Sequence, residues 1–314
     1  MTKLSIAICS YNRCNRLKKL IGLLREQTCP IPFDILIVNN NSSDKTIEIL
    51  QQLSTEPGAH LRFVTETKQG ISHARNRAIE ECLDSEYMFV MDDDELPSPG
   101  LLEAAYYSLN TNNLDCVGGK VNVIIENSSR PKWLTDDLLG FLAETNYGER
   151  PFSIKDDSTP IWTANIAYKT NIFRKNPHLR FDIRYNREGK AVGGGEDVLM
   201  FNEWLKRGYQ LAYNPHMSVD HYVDSWRLKQ IYFYKLHFTS GIKQGLFELQ
   251  SYDTNILGIP PFLFKQAFLH LFKTLSMYVT SHPSRVRQGM NAAHALGLMK
   301  GAYIKHSKLK THHE

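Results

Sequence analysis

Residues 89–100 read FVMDDDELPSPG. Three aspartates, Asp92, Asp93 and Asp94, follow an apolar run ending at Met91, and Glu95 comes next. Like charges this close repel one another and resist burial, so such a turn needs a positive partner. A hard divalent cation is one candidate, since it takes carboxylate oxygens and keeps positions open for phosphate and water. A solvated turn capping a helix that starts near Ser98 would use the same residues without an ion. An EF-hand calcium loop is excluded, because Leu96 and Pro97 stand where it needs an oxygen donor and a glycine. A second acidic pair, Glu196 and Asp197, follows a glycine run and opens a helix with Val198, Phe201 and Leu205 on one face. A carboxylate there can take a proton as a general base. The helix dipole alone also favours acids in a first turn.

These clusters sit at the ends of regular elements. LSIAIC (4–9), FDILIV (33–38), LRFVTE (61–66) and EYMFVM (86–91) read as strands. Between them, 16–27, the segment from the Ser43–Asp44 cap through Leu53, and 71–83 read as helices. Continuous apolar strands alternating with helices predict a mostly parallel sheet covered on both faces. Ligands bind such sheets beyond the carboxyl ends of the strands, where SYNR, NNNSSD and DDDE lie. Further on, 115–125 reads as a strand, and 126–160 as an irregular segment of the kind that carries substrate contacts. The glycines before Glu196 read as a flexible lead-in.

The 314 residues are 42% apolar and 22% charged, ordinary for a soluble globular chain. Five cysteines, an odd number without a CxxC pair, predict structural thiols in a reducing compartment. MTKLSIAICSYNR enters a strand pattern at once and shows no signal-peptide pattern, which predicts a cytoplasmic protein. The net charge of +4 is uneven: residues 254–314 hold eight Lys or Arg against one acid, Glu314. A weakly acidic body with a basic tail argues against a nucleic-acid binder and for a tail that meets an anionic surface. From Phe262 the tail carries Phe264, Phe268, Leu271, Phe272, Leu275, Tyr278 and Val279 at helical spacing, with Lys265, Gln266, His270, Lys273 and Thr274 opposite. That pattern suits a helix lying on a membrane surface; a helix packed on the domain with its lysines in water has the same pattern. No apolar run reaches the roughly 20 residues of a membrane span.

The polar clusters together resemble the family 2 glycosyltransferases. SIAICSYNR, VNNNSSD, GISHARNRAIE, FVMDDDELPSPGLLE, WTANIAYKTNIF, GGEDVLMFNEWLKRGYQLAYNP and VDHYV occur in that family's order over roughly residues 3–222. The resemblance implies a GT-A, Rossmann-like α/β fold with a helical C-terminal extension. It implies a catalytic domain over 1–225, with a nucleotide-binding half (1–112) and an acceptor and catalytic half (113–225). Residues 226–314 would form a basic, amphipathic helical region.

By the same resemblance the aspartate turn holds Mn²⁺ or Mg²⁺ on the diphosphate of a nucleotide sugar. Asp94 would be the direct ligand, Asp92 a metal or ribose contact, and Asp93 the variable middle position at the donor site. Ser10, Tyr11, Arg13, Asn39, Asn41, Gly70, Arg75 and Asn76 match donor-binding positions. Asn39 stands where many members have an acid, and UDP is favoured over dTDP or GDP. Asp197 matches the catalytic base and Glu196 an orienting or acceptor-hydroxyl group. His221 matches a position that ligates the metal or meets the diphosphate. Trp162, Asn165 and Trp133 are candidates for contact with the acceptor. The implied activity is an inverting transfer from a nucleotide sugar to a glycan or lipid-linked hydroxyl in bacterial cell-surface polysaccharide synthesis, peripheral on the inner membrane face. Two other readings remain at this point. A nucleotidyltransferase also pairs carboxylates on a metal, but SYNRCNR lacks the glycines of a triphosphate loop. A non-catalytic nucleotide-sugar-binding protein would keep the fold without the chemistry.

Overall fold

The computed structural model describes residues 4–111, 113–126, 129–188 and 191–311. The chain divides into two compact units. One comprises Met1–Glu126, Leu142–Lys190 and Glu196–Val223; the other comprises Asn127–Phe141, Ala191–Gly195 and Asp224–Glu314.

The first unit alternates strand and helix: β1 (Leu4–Ser10), α1 (Cys14–Arg25), β2 (Phe33–Asn39), α2 (Thr46–Ser54), β3 (Leu61–Thr65), α3 (Ile71–Glu81) and β4 (Tyr87–Asp92). It continues through β5 (Glu95–Pro97), α4 (Leu101–Thr111), β6 (Cys116–Ile124), β7 (Phe152–Ile154), β8 (Asn165–Lys169), α5 (Asn171–Lys175), α6 (Glu196–Lys206) and β9 (Leu211–Tyr222). Among the described residues the sheet has nine strands in the order β3-β2-β1-β4-β8-β6-β9-β5, with β7 on β9. The expected parallel arrangement holds from β3 to β4. Beyond β4 the sheet is mixed: β8 runs antiparallel to both β4 and β6, while β6 and β9 are parallel.

Strand alternation covers both faces. Leu4, Ile6 and Ile8 of β1 join Leu17, Leu20, Ile21 and Leu24 of α1 and the buried leucines of α2 and α4. Ala7, with Leu36, Val38, Met88 and Val90, packs on Ala74, Ala78 and Ile79 of α3 and on Met200, Phe201 and Trp204 of α6. The buried stripe of α6 is therefore turned from the expected one: Val198 is exposed and Trp204 lies inside.

Asp44 does more than begin α2, which starts two residues later than expected. Its Oδ1 accepts from Thr46 N, and its Oδ2 accepts from Cys14 N, capping α1 from another loop. Asn12, at φ +53°, accepts through Oδ1 from Ser43 N. The loops after β1 and β2 are thus laced together, which extends α1 to Cys14.

The second unit contains α7 (Gln230–Phe247), α8 (Pro261–Val279) and α9 (Arg285–Thr311). Helices α7 and α9 touch backbone to backbone. A Cβ on Gly241 would lie 2.2 Å from His294 O, and one on Gly245 2.3 Å from Leu298 O. Gly297 and Gly301 close the same seam from α9, against Phe238 O and Ile242 O. The glycine run before α6 is pinned here rather than loose: a Cβ on Gly193 would meet Thr239, and Gly194 O accepts from Lys243 Nζ. No described helix is long and apolar enough to cross a membrane.

Candidate active site

The sheet register brings the polar clusters together. Ser10 lies beside Asn39, and Cys9 beside Asp92, at the carboxyl ends of β1, β2 and β4. Ser10 Oγ donates to Asp93 Oδ2 at 2.7 Å. Arg13, expected at the donor site, faces the acids, with Nε 3.7 Å from Asp93 and Nη2 3.7 Å from Asp94. Burial, with Asp94 adding to it, pushes the Asp93 carboxyl up to about 7. Glu95 turns inward on β5, where Oε2 accepts from Asp92 N and Oε1 has no partner among the described residues. Burial, then Asp92 and Asp94, raise its pKa well above the usual carboxylate range.

Arg75 of α3 is the counter-ion of the site. It is 5% exposed. Its Nη1 lies 2.9 Å from both Glu196 Oε1 and Asp197 Oδ1, and its Nη2 is 3.5 Å from Asp92. Burial opposes the guanidinium charge, but Asp197, Asp92 and Glu196 together raise its pKa. Phe181 covers it, 5.5 Å from ring centre to guanidinium carbon. Burial raises the Glu196 pKa, Asp197 adds to it, and Arg75 opposes. Glu196 Oε2 is buried without a partner among the described residues. Thr163, which sequence reasoning missed, donates from Oγ1 to Asp197 Oδ1 at 2.5 Å. Only its place in WTAN, just before β8, hinted at it.

The donor-side positions sort differently from expectation. Asn39 is fully buried, with Oδ1 accepting from Ser42 N and Nδ2 donating to Thr65 Oγ1, so its amide does not face a ligand. The next residue, Asn40, fastens the loop before α3: Nδ2 donates to Glu66 O and Lys68 O, and Oδ1 accepts from Gly70 N. Asn41 is exposed at φ +56°. A cleft beside these residues is lined by Ser10, Tyr11, Asn40, Gln69, Ile71 and Arg187, of which Gln69 and Arg187 carried no sequence signal. Gly70 sits at φ +131°, and a Cβ there would overlap Asn186, whose side chain bonds Ser72 N and Gln69 O. Asn76 is taken up by the Phe181 backbone, donating to its carbonyl and accepting from its amide.

The acceptor candidates separate as well. Asn165 is interior: Nδ2 donates to Lys120 O and Met217 O, where the β6–β9 register shifts and leaves carbonyls unpaired. Trp162 is half-buried, its ring 6.4 Å from that of Phe201. Trp133 belongs to the helical unit, edge-on to Phe233 at 5.2 Å.

His221, buried on β9, has Nδ1 2.8 Å from Leu142 O, so that nitrogen donates and Nε2 is the one turned toward the aspartate turn. Nε2 lies 3.6 Å from Asp94 Oδ2, a spacing two donors to one divalent ion can adopt. Among the described residues, no three acidic, His or Cys side chains converge to hold an ion alone. Two protein donors with open positions suit a cation that takes its remaining ligands from phosphate and water.

Residues 5–182 match the sequence profile of Glycosyl transferase family 2. The chain is 30% identical over 220 residues to the glycosyltransferase AglE of Haloferax volcanii, covering 69% of this chain and 64% of that protein. It is 26% identical over 187 residues to the teichoic acid poly(glycerol phosphate) polymerase of Staphylococcus epidermidis, 59% of this chain but only 24% of that protein. It thus spans a quarter to two thirds of these relatives. Among solved structures, the mannosyltransferase PcManGT of Pyrobaculum calidifontis with GDP-Man and Mn²⁺ superposes with a TM-score of 0.60 at 16% identity, over 96% of this chain and 88% of that one. Staphylococcus aureus TarS 1–349 with UDP-GlcNAc gives 0.54 at 14% identity, over 99% and 92%. The chain has the GT-A fold and belongs to glycosyl transferase family 2.

Proposed function

We propose that the protein is an inverting glycosyltransferase that moves a sugar from a nucleoside diphosphate sugar, with UDP favoured, to a hydroxyl of a glycan or lipid-linked acceptor in cell-envelope polysaccharide synthesis. The observation that carries it is the Arg75 hub, which joins Asp197 and Glu196 of α6 to Asp92 of the aspartate turn across more than a hundred residues of chain. One guanidinium therefore ties the proposed base to the proposed donor site.

Asp197 is the general base. It takes the proton of the acceptor hydroxyl as that oxygen attacks the anomeric carbon, and the nucleoside diphosphate leaves from the opposite face, so one displacement inverts the centre. Thr163 and Arg75 fix its carboxylate at Oδ1. Glu196, which shares Arg75, orients the pair. A divalent cation, Mn²⁺ or Mg²⁺, held by Asp94 and His221, would supply positive charge to the departing diphosphate, with Asp92 left to the ribose. Tyr11, Asn40, Gln69 and Arg187 line the cleft that we assign to the donor's nucleobase, and Trp162 is the acceptor-side aromatic. PcManGT binds GDP-Man and TarS binds UDP-GlcNAc, so the fold accommodates either base. The acid-poor, basic C-terminal region supports a reading in which the enzyme meets an anionic membrane surface, on the cytoplasmic face, to reach a lipid-linked acceptor.

The test is a thermal-shift panel of UDP-, dTDP- and GDP-sugars with and without Mn²⁺, followed by nucleoside diphosphate release from the sugar that shifts. A ligand that binds only the folded state raises apparent stability by mass action. A metal-dependent shift with one nucleotide class, and turnover lost in Asp197→Asn with the shift retained, is the expected result. Wild-type turnover in Asp197→Asn would remove Asp197 from the role of base.

A further inference from the structure

Helix α8 (Pro261–Val279) buries little of itself; Leu263 and Ala267 are its buried apolar residues. Phe264, Phe268, Leu271, Phe272, Leu275 and Val279 recur at i, i+4, i+7, i+8, i+11 and i+15, which sets them in one stripe about a quarter-turn from the buried face. All six are exposed, Phe268 at 68%, Phe272 at 66% and Val279 at 78%. Exposed hydrophobics scattered singly need no explanation, but a continuous stripe of this kind marks an interaction surface. Three aromatic rings on one helix face give it a large apolar area.

The charges around it decide the occupant. Helix α8 contains no acid, Lys265 and Lys273 are exposed on it, and residues 254–314 hold eight Lys or Arg against Glu314 alone. A second copy docked stripe to stripe about a two-fold axis would set this positive charge against itself. An anionic lipid surface complements it, taking the rings into the acyl boundary and the lysines among the headgroups. No described helix is long and apolar enough to cross a membrane, and an amphipathic helix that meets a bilayer without spanning it lies in the plane of the interface.

We propose that the stripe from Phe264 to Val279 is a membrane-inserting face of this protein, specific for anionic bilayers. This deepens the reading of a membrane-bound acceptor and rests on it for its purpose, though binding is measured without any transfer reaction. The experiment is co-sedimentation of the full chain with phosphatidylcholine vesicles, with and without phosphatidylglycerol. The wild type is compared with Phe268→Ser/Phe272→Ser/Leu275→Ser. These side chains are exposed, so the variant retains the fold. The expected result is binding that requires phosphatidylglycerol and weakens roughly tenfold or more in the variant. A Phe272→Trp protein should in addition be quenched by brominated acyl chains. A folded wild type that ignores phosphatidylglycerol vesicles overturns the proposal, as does a variant that binds them equally well. Self-association of the wild type without lipid, lost in the variant, would assign the stripe to a second copy instead. The nucleotide-sugar thermal shift is run on the same preparations. If it is absent while vesicle binding persists, the site reading fails and the membrane face stands.

Discussion

Arg75→Met removes the only guanidinium within 3.5 Å of Asp92, Glu196 and Asp197 among the described residues. Two of those contacts are 2.9 Å, and Glu196 is 4% exposed with one oxygen already unpartnered. Deleting one partner of a buried ion pair leaves an uncompensated charge and costs about 3–5 kcal/mol. Arg75→Lys keeps the charge, but a single ammonium cannot reproduce the fork that meets two carboxylates at once. Its loss should be smaller, about 2 kcal/mol, on the scale of one charge-assisted hydrogen bond. Adding Glu196→Gln to Arg75→Met removes the stranded charge, so the double variant should be more stable than the sum of the singles by about 1–3 kcal/mol. Urea unfolding measures all four variants, the Glu196→Gln single included, and nucleoside diphosphate release gives kcat/KM in parallel. Both Arg75 variants should fall by roughly a hundredfold or more, since a misplaced base loses that much. If Arg75→Met unfolded within about 0.5 kcal/mol of wild type and the cycle were additive, the hub would be a surface ion pair and the coupling drawn from it would be wrong.

Asp94→Asn should abolish the Mn²⁺-dependent part of the donor thermal shift while leaving the metal-free melting temperature near wild type. Gly70→Ala forces a side chain into φ +131° and into Asn186, at a cost of about 1–3 kcal/mol, and should weaken donor binding as the loop before α3 shifts; calorimetric titration of the donor reads this. Gly245→Ala places a methyl 2.3 Å from Leu298 O and should pry α7 from α9; limited proteolysis should then cut the C-terminal helices first. Burial pushes the His237 imidazole down to about 4 from 6.5, so the folded helical unit refuses a proton that the unfolded chain accepts. That contribution is complete above about pH 6.5 and is lost as pH falls toward 4, by at most about 3 kcal/mol and less where solvent reaches the ring. His237→Gln should flatten this part of the melting temperature against pH curve.

The features written in local pattern were legible in the chain. Continuous apolar runs and period-3.6 spacing located the first four strands and their helices to within one or two residues. The rule that ligands meet the carboxyl ends of such strands pointed to SYNR, NNNSSD and DDDE before any coordinates. The acidic start of α6 was equally readable, because a helix N-terminus is announced by the residues beside it. What the sequence left open were questions of partner and depth. Arg75 was read toward the nucleotide, yet its guanidinium ends among Asp92, Glu196 and Asp197, a meeting set by how α3 and α6 pack on one face of the sheet. Asn39 and Asn40 are neighbours of the same type, and only the pleat of β2 and the loop beyond it made the first interior and the second a lining residue. Asn165 looked free to meet an acceptor until the β6–β9 register shift claimed its amide. Gly241, Gly245, Gly297 and Gly301 stood in the sequence at spacings of four, but their use depends on two helices far apart in the chain approaching to backbone contact. Composition and periodicity record what each segment prefers by itself. Which charge a buried arginine neutralises, and which apolar stripe of a helix is left uncovered, follow from the packing of elements distant in sequence, and so were decided by the tertiary structure alone.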